Sequence, residues 1–209
     1  MRESWRWFGP KDAVSLDDIR QTGATDIVSA LHHVPTGEVW TVAAIQEYKS
    51  LIEAGNTERS PLTWSVVESI PVHKDIKLGR EECQIYIDNW ISSMENLAHC
   101  GIKTICYNFM PVIDWTRTDL QYRLNNGVYA LRFDQLKFAA FDLYILQRSN
   151  AEADYSKTEI AEAKDIFTQM SAEERDQITH NIIAGLPGKM TEAYTLGDFR
   201  KALAEYKDI

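Results

Sequence analysis

Short apolar runs alternate with longer amphipathic segments through the first half of the chain. Runs rich in β-branched and aromatic residues predict four strands, over residues 4–8, 25–31, 63–70 and 103–109. Apolar positions at helical spacing predict a short helix after Ser15 and longer helices over 41–54 and 81–100. Such alternation favours parallel strands joined by right-handed helical crossovers, and therefore an α/β fold.

The pattern changes beyond Pro111. Residues 111–135 show no clear period and predict a long, partly ordered loop. Helical spacing returns and predicts four helices, over 133–147, 158–170, 171–183 and 195–206. The second half is therefore expected to be helical, without a further strand.

Composition indicates a globular protein, because 44% of the residues are hydrophobic and 25% are charged. The net charge of −9 argues against a nucleic-acid partner, since an acidic surface repels phosphate. No apolar run approaches the ~20 residues of a membrane helix, and the first residues do not resemble a signal peptide. We therefore expect no membrane association and a cytoplasmic location, in which the three cysteines are reduced thiols.

Polar side chains lie at or just after the predicted strand ends, where βα folds bind ligands. The candidates on the four strands are Arg6, His32, His33, Glu68 and Asn108, and His73 and Asp114 follow in the loops. Each has a structural alternative: a hydrogen-bonded loop for the histidines, an ion pair for Glu68, and backbone pairing for Asn108. The sequence leaves these alternatives open.

Trp115 offers a flat apolar surface, and Arg117 offers a guanidinium that can bind a carboxylate with two hydrogen bonds. The alternative is a solvated loop with one salt bridge, which the same residues would also form. His32, His33, Glu68 and Asp114 are metal ligands by residue type, but their spacing matches no local metal motif. There is no Gly-rich phosphate loop and no nucleophile elbow. The residues alone thus predict a polar site on a parallel α/β scaffold, and they do not identify its chemistry.

Several longer motifs carry a family resemblance over essentially the whole chain. They are residues 5–10 (WRWFGP), 30–33 (ALHH), 37–40 (GEVW), 64–69 (WSVVES), 106–119 (CYNFMPVIDWTRTD), 151–155 (AEADY), 181–188 (NIIAGLPG) and 206–209 (YKDI). In these motifs the chain resembles the N-terminal half of mannonate dehydratase. The motifs at 64–69 and 106–119 are specific enough to exclude a chance match.

The resemblance implies a TIM-barrel-type (β/α)8 fold. Residues 1–209 would form its N-terminal half, about four βα units with a helical insertion at about 111–190, and not a closed barrel on their own. It further implies dehydration of D-mannonate to 2-keto-3-deoxy-D-gluconate in hexuronate (glucuronate) catabolism, with Mn²⁺ or Fe²⁺ as cofactor. A homo-oligomer is also expected, because half a barrel leaves open sheet edges.

Members of the family are nearly twice as long as this chain, and their metal ligands and acid–base residues lie in the second half. The metal ligands are therefore expected beyond residue 209, and no metal or catalytic residue is assigned within it. The expected substrate contacts are His32, Glu68, Asn108, Trp115 and Arg117. Two alternatives stay open: a sugar isomerase or epimerase on a similar metal-dependent barrel, and a non-catalytic half-barrel that folds by association.

Overall fold

The computed structural model describes residues 2–54, 60–112, 116–183 and 195–206, and these divide into two compact units at Phe109 and Met110. Each unit is described by itself. Within these ranges no helix is both long and apolar enough to cross a bilayer.

The first unit is built on a parallel sheet in the order β1-β2-β3-β4. The strands are β1 (Ser4–Arg6), β2 (Asp26–Ser29), β3 (Thr63–Glu68) and β4 (Thr104–Cys106). The helices of this unit are α1 (Leu16–Gln21), α2 (Val42–Glu53), the one-turn α3 (Lys74–Lys77) and α4 (Cys83–His99). The α/β class and the four βα units are thereby confirmed, as is the open sheet in place of a closed barrel. The strands are shorter than predicted, and α3 was not predicted.

Local sequence explains where the helices of the first unit begin. The Ser15 hydroxyl accepts a hydrogen bond from the Asp18 backbone, and the Asp18 carboxylate accepts one from the Ser15 backbone, so the two form a capping box. Thr41 caps α2 through a hydrogen bond from the Ala44 backbone. These caps satisfy backbone groups that a helix cannot satisfy internally, and they fix where each crossover turns back towards the sheet.

One face of the sheet is packed against the helices. Ile27 of β2 and Val67 of β3 are fully buried there, in one core with Ile45 of α2 and Leu97 of α4. Burial of such side chains stabilises the unit by roughly 1.5–3 kcal/mol each. Because side chains alternate along a strand, the residues between them point away from the helices.

Ser29 joins three elements on the helix-packed face. Its hydroxyl donates to the Trp7 carbonyl oxygen at 2.6 Å and lies 2.9 Å from the Tyr48 hydroxyl on α2. Since the single proton of Ser29 is used on the carbonyl, the Tyr48 hydroxyl must be the donor in the second bond. Burial raises the pKa of Tyr48, which keeps that proton in place.

The second unit begins with an antiparallel hairpin of β5 (Asp119–Arg123) and β6 (Tyr129–Arg132). The prediction of a long loop over 111–135 is therefore wrong in this part. The turn contains Asn126 and Gly127, and Gly127 adopts the positive φ of +86° that such a turn requires. β5 alternates polar and apolar residues (DLQYR), as a strand should, whereas β6 (YALR) has three apolar residues in a row and shows no such period.

Helices complete the second unit. They are α5 (Gln135–Ala140), which continues as a π-helix over Phe141–Leu146, a 3-10 helix (Ala151–Asp154), α6 (Lys157–Gln169), α7 (Ala172–Ile183) and α8 (Leu196–Ala204). The buried carboxylate of Asp142 accepts hydrogen bonds from Nε and Nη2 of Arg148 and from the Tyr155 hydroxyl, which holds together the turn between α5 and α6. The predicted helices are confirmed with shifted ends. Whether the helical region is an insertion in a single barrel domain stays a prediction.

We predict that Ser29→Ala lowers the free energy of unfolding by about 1–3 kcal/mol. The change leaves the Trp7 carbonyl and the Tyr48 hydroxyl buried without their partner. Urea unfolding followed by tryptophan fluorescence measures the loss. Ser50→Ala on the exposed side of α2 is the matched control and should change stability by less than about 0.5 kcal/mol. Equal stability of the two variants would contradict the assigned role of Ser29.

Candidate functional site

The carboxyl ends of β1 to β4 lie along one edge of the parallel sheet, and several predicted site residues lie at this edge. Glu68 is the last residue of β3 and stands in register with Cys106, the last residue of β4. His32 follows β2 and Asn108 follows β4, both a few residues past the strand. Ligands of βα folds bind at this edge, so the position suits a site.

Glu68 belongs to the face of the sheet that the helices do not cover. Its neighbour Val67 is buried in the core, so the Glu68 side chain points the opposite way. Val66 and Val28 are in register with each other, and Val28 is in register with Arg6. Arg6 and Glu68 therefore emerge on the same face, at the carboxyl ends of β1 and β3.

An ion pair joins these two strand ends. Arg6 donates from Nη1 to Glu68 Oε1 at 2.8 Å. Their side chains are 37% and 30% exposed, so solvent reaches both partners. The sequence left two roles open for Glu68, a pocket residue or a partner in an ion pair. The structure shows the ion pair. Because the pair lies at the carboxyl ends of the strands, Glu68 can still line a pocket there.

His32 lies near this pair. Its ring is 5.9 Å from the Phe8 ring, and the Arg6 guanidinium lies 4.9 Å from the centre of the same Phe8 ring. Although part of His32 is exposed, desolvation by its neighbours lowers the pKa of the imidazole, and the charges of Arg6 and His33 lower it further against a smaller raising effect of Asp12. At neutral pH His32 is therefore uncharged and can accept a proton or a hydrogen bond.

The loop after β1 is shaped to hold Phe8 beside His32. The Asp12 carboxylate accepts hydrogen bonds from the backbone of Phe8 at 2.8 Å and of Val14 at 3.0 Å. Gly9 has a φ of +100°, and a Cβ there would come within 3.2 Å of the Tyr48 hydroxyl. A side chain at Gly9 would thus strain the backbone and crowd the buried hydroxyl below it.

The other candidates are placed differently. His73 caps α3 by accepting a hydrogen bond from the Asp75 backbone, and its ring stacks on Tyr86 with centroids 3.5 Å apart, which is a structural role. His33 is exposed beside His32. Asp114 and Trp115 lie outside the described residues. Arg117 belongs to the second unit, where it donates to the Thr116 carbonyl at 2.7 Å.

Arg6 was not among the predicted substrate contacts, although the first strand had been noted for it. The signal that could have identified it is the charge itself, a lone Arg between Trp5 and Trp7 in an aromatic strand. Its partner lies 62 positions away, and only the strand register brings the two together.

The described residues do not offer a metal site. Within the four described ranges, no three His, Cys, Asp or Glu side chains come together in a way that could hold a metal ion.

Comparison with known proteins gives a consistent result. Residues 1–209 match the model of the D-mannonate dehydratase (UxuA) family. Mannonate dehydratase of Marinomonas sp. (strain MWYL1) is 56% identical over 209 residues, and that of Chromohalobacter salexigens is 55% identical over the same length. Each match covers 100% of this chain and 52% of the relative, so the chain spans about half the length of the curated relatives it matches.

A solved structure agrees. The crystal structure of mannonate dehydratase from Streptococcus suis serotype 2 superimposes with a TM-score of 0.61 at 33% sequence identity, over 85% of this chain and 51% of that one. The parallel sheet, its polar carboxyl edge and a family match that runs from the first residue to the last agree with one another, and this chain belongs to the D-mannonate dehydratase family.

Proposed function

We propose that the protein carrying this chain dehydrates D-mannonate to 2-keto-3-deoxy-D-gluconate. The observation that carries the proposal is the family match over the whole chain. The polar edge at Arg6, His32, Glu68 and Asn108 supports it, because a sugar acid needs donors and acceptors for its hydroxyls and a cation for its carboxylate. We further propose the remaining features of the family resemblance: a cytoplasmic enzyme of glucuronate catabolism that works as a homo-oligomer and requires Mn²⁺ or Fe²⁺.

The proposed reaction removes one water. A base takes the proton from C2, the electron pair of that bond forms the C2–C3 double bond, and the C3 hydroxyl leaves with a proton as water. The resulting enol gains a proton at C3 and loses the proton of its C2 hydroxyl to give the 2-keto acid. We assign substrate binding, and no proton transfer, to His32, Glu68, Asn108, Trp115 and Arg117.

Each described contact has a chemical task in this proposal. The Glu68 carboxylate accepts hydrogen bonds from sugar hydroxyls. Oε1 already accepts from Arg6, so the second oxygen, Oε2, takes this role. Neutral His32 can accept or donate to a hydroxyl. The Asn108 amide can do both at once. Arg117 is kept as a carboxylate contact on the sequence argument alone.

We expect the purified protein, as its gene encodes it, to form a keto acid from D-mannonate with added Mn²⁺. Chelation should abolish the activity, and Mn²⁺ or Fe²⁺ should restore it. D-gluconate, which differs in configuration at C2, is the matched control and should react at least tenfold more slowly. Mass analysis of the product decides between the alternatives: an isomeric product that keeps its water would indicate an isomerase or epimerase, and no reaction would favour a non-catalytic role.

We predict that Glu68→Gln raises the KM for D-mannonate about tenfold or more, since a hydrogen bond to a charged acceptor contributes about 1.5–3 kcal/mol. Steady-state kinetics measures the change. Glu47→Gln, on the exposed side of α2, removes the same charge away from the sheet edge and should leave KM unchanged. A Glu68→Gln enzyme with the KM and kcat of the wild type would exclude Glu68 from the site.

Arg117→Ala should likewise weaken substrate binding and raise KM, because a guanidinium that binds a carboxylate contributes charge-assisted hydrogen bonds. The exposed Arg123 of the same unit supplies the control, and Arg123→Ala should have no effect on kinetics. Unchanged KM and kcat in Arg117→Ala would remove Arg117 from the proposed contacts.

A further inference from the structure

Arg6 occupies a position from which a side chain can reach a ligand. It ends β1 at the carboxyl edge of the sheet, on the face that the helices leave uncovered. The adjacent Trp7 is 4% exposed and packs in the core, so the alternation of the strand directs Arg6 the other way. With 37% of its side chain exposed, the guanidinium is accessible from solvent.

Two contacts hold the guanidinium in a fixed orientation. Glu68 accepts from Nη1 at 2.8 Å, and the Phe8 ring lies 4.9 Å from the guanidinium carbon. Phe8 is itself fixed, because Asp12 accepts a hydrogen bond from its backbone. A guanidinium held in this way loses little conformational freedom when it binds a ligand, which favours tight binding.

The hydrogen bonds of Arg6 are incomplete. Its Nε is buried and donates to no acceptor among the described residues. An unsatisfied buried donor costs about 1–3 kcal/mol, so such an atom calls for an acceptor. Nε and Nη2 form one edge of the guanidinium, and two parallel hydrogen bonds from that edge are the usual way in which Arg binds a carboxylate. Glu68 binds Nη1 and therefore occupies neither of these two nitrogens, but Nε is itself out of contact with solvent, so a carboxylate that pairs with it must displace the atoms that cover it.

A purely structural ion pair explains less. A solvent-accessible pair such as Arg6 with Glu68 contributes about 0–1 kcal/mol to stability. It would use a single hydrogen bond of the guanidinium and leave Nε without an acceptor. A ligand that carries a carboxylate next to hydroxyl groups satisfies both partners, since the carboxylate pairs with Arg6 and a hydroxyl donates to Glu68.

We propose that Arg6 binds the carboxylate of the sugar acid, and that Glu68 and Phe8 position its guanidinium for this contact. The proposal rests on the proposed function, because it takes a hydroxy acid as the ligand. It makes Arg6 a residue that distinguishes the acid from uncharged sugars of the same shape, in addition to the contact proposed for Arg117.

The test uses two unreactive ligands and the protein as its gene encodes it. One ligand is the 3-deoxy analogue of D-mannonate, which has no hydroxyl to lose, and the other is the uncharged amide of that acid. Calorimetry should show that the wild type prefers the acid. Arg6→Gln should weaken acid binding about 30–100-fold and amide binding less than about threefold. Arg6→Lys keeps the charge without the fork and should weaken acid binding about tenfold.

Arg2→Gln is the matched control, because Arg2 precedes β1, at the end of the strand opposite Arg6, and pairs there with Asp26 through a largely exposed side chain. It should keep the preference of the wild type. If Arg6→Gln weakens the binding of the acid and of the amide by the same factor, or leaves the affinity for the acid unchanged, the proposal is overturned. A wild type without any preference for the acid overturns it as well. Keto-acid formation by the wild type, measured in parallel, tests the proposed function separately, because these binding results require no turnover.

We also predict that Arg6→Gln raises the pKa of His32. Desolvation is the first cause of the lowered pKa and remains, but the Arg6 charge, which disfavours the protonated imidazole, is removed. An NMR titration of the imidazole protons measures the change, and it also shows that the variant is folded. His32 in Arg2→Gln should titrate as in the wild type. A His32 pKa that stays the same in Arg6→Gln would mean that the guanidinium is not held beside the imidazole.

Discussion

The alignment of the strand ends at the carboxyl edge of the sheet depends on the hydrogen bonds of the buried Ser29 hydroxyl. It connects the end of β1, through the Trp7 carbonyl, to the Tyr48 hydroxyl on α2. The Ser29 carbonyl in turn accepts from the Trp64 indole at 3.4 Å, which brings in β3. Short strands of three to six residues form few ladder hydrogen bonds, so these side-chain contacts fix how far each strand end projects. Arg6 and Glu68 meet only because those ends are aligned.

The two faces of the sheet have different roles as a direct result of the strand period. Residues such as Ile27 and Val67 pack against the helices and provide the stability of the unit. The residues whose side chains point to the other face, such as Arg6 and Glu68, do not pack against the helices and remain available for ligands. A polar pair on the packed face would cost several kcal/mol to desolvate, whereas on the open face it costs little. The site is therefore compatible with the stability of the core.

The sequence predicted most of the fold of the first unit, because its four strands and three longer helices have a clear period and a clear end, whereas the one-turn α3 is too short to show a period. Ser15 and Thr41, for example, mark their helices by capping chemistry that is purely local. The hairpin in the second unit was missed because β6 carries the apolar residues Tyr129 and Leu131 on an exposed face, so its polar–apolar alternation is weak. The available signals were the Asn126-Gly127 turn and the alternation of polar and apolar residues in β5.

The candidate site was only partly predictable, for a physical reason. The rule that ligands bind at the carboxyl ends of parallel strands located Glu68 and His32 from sequence alone. It could not reveal that Glu68 is held by Arg6, because that contact depends on the register of three strands.

The ion pair changes the chemistry of the edge. An acidic chain of net charge −9 repels an anion at long range, yet a fixed guanidinium binds one at contact distance, where its own field dominates. His32 stays neutral beside it and adds no competing charge. At this edge, selectivity for an acid can thus arise from the Arg6 guanidinium, whose orientation is set by Glu68 and Phe8.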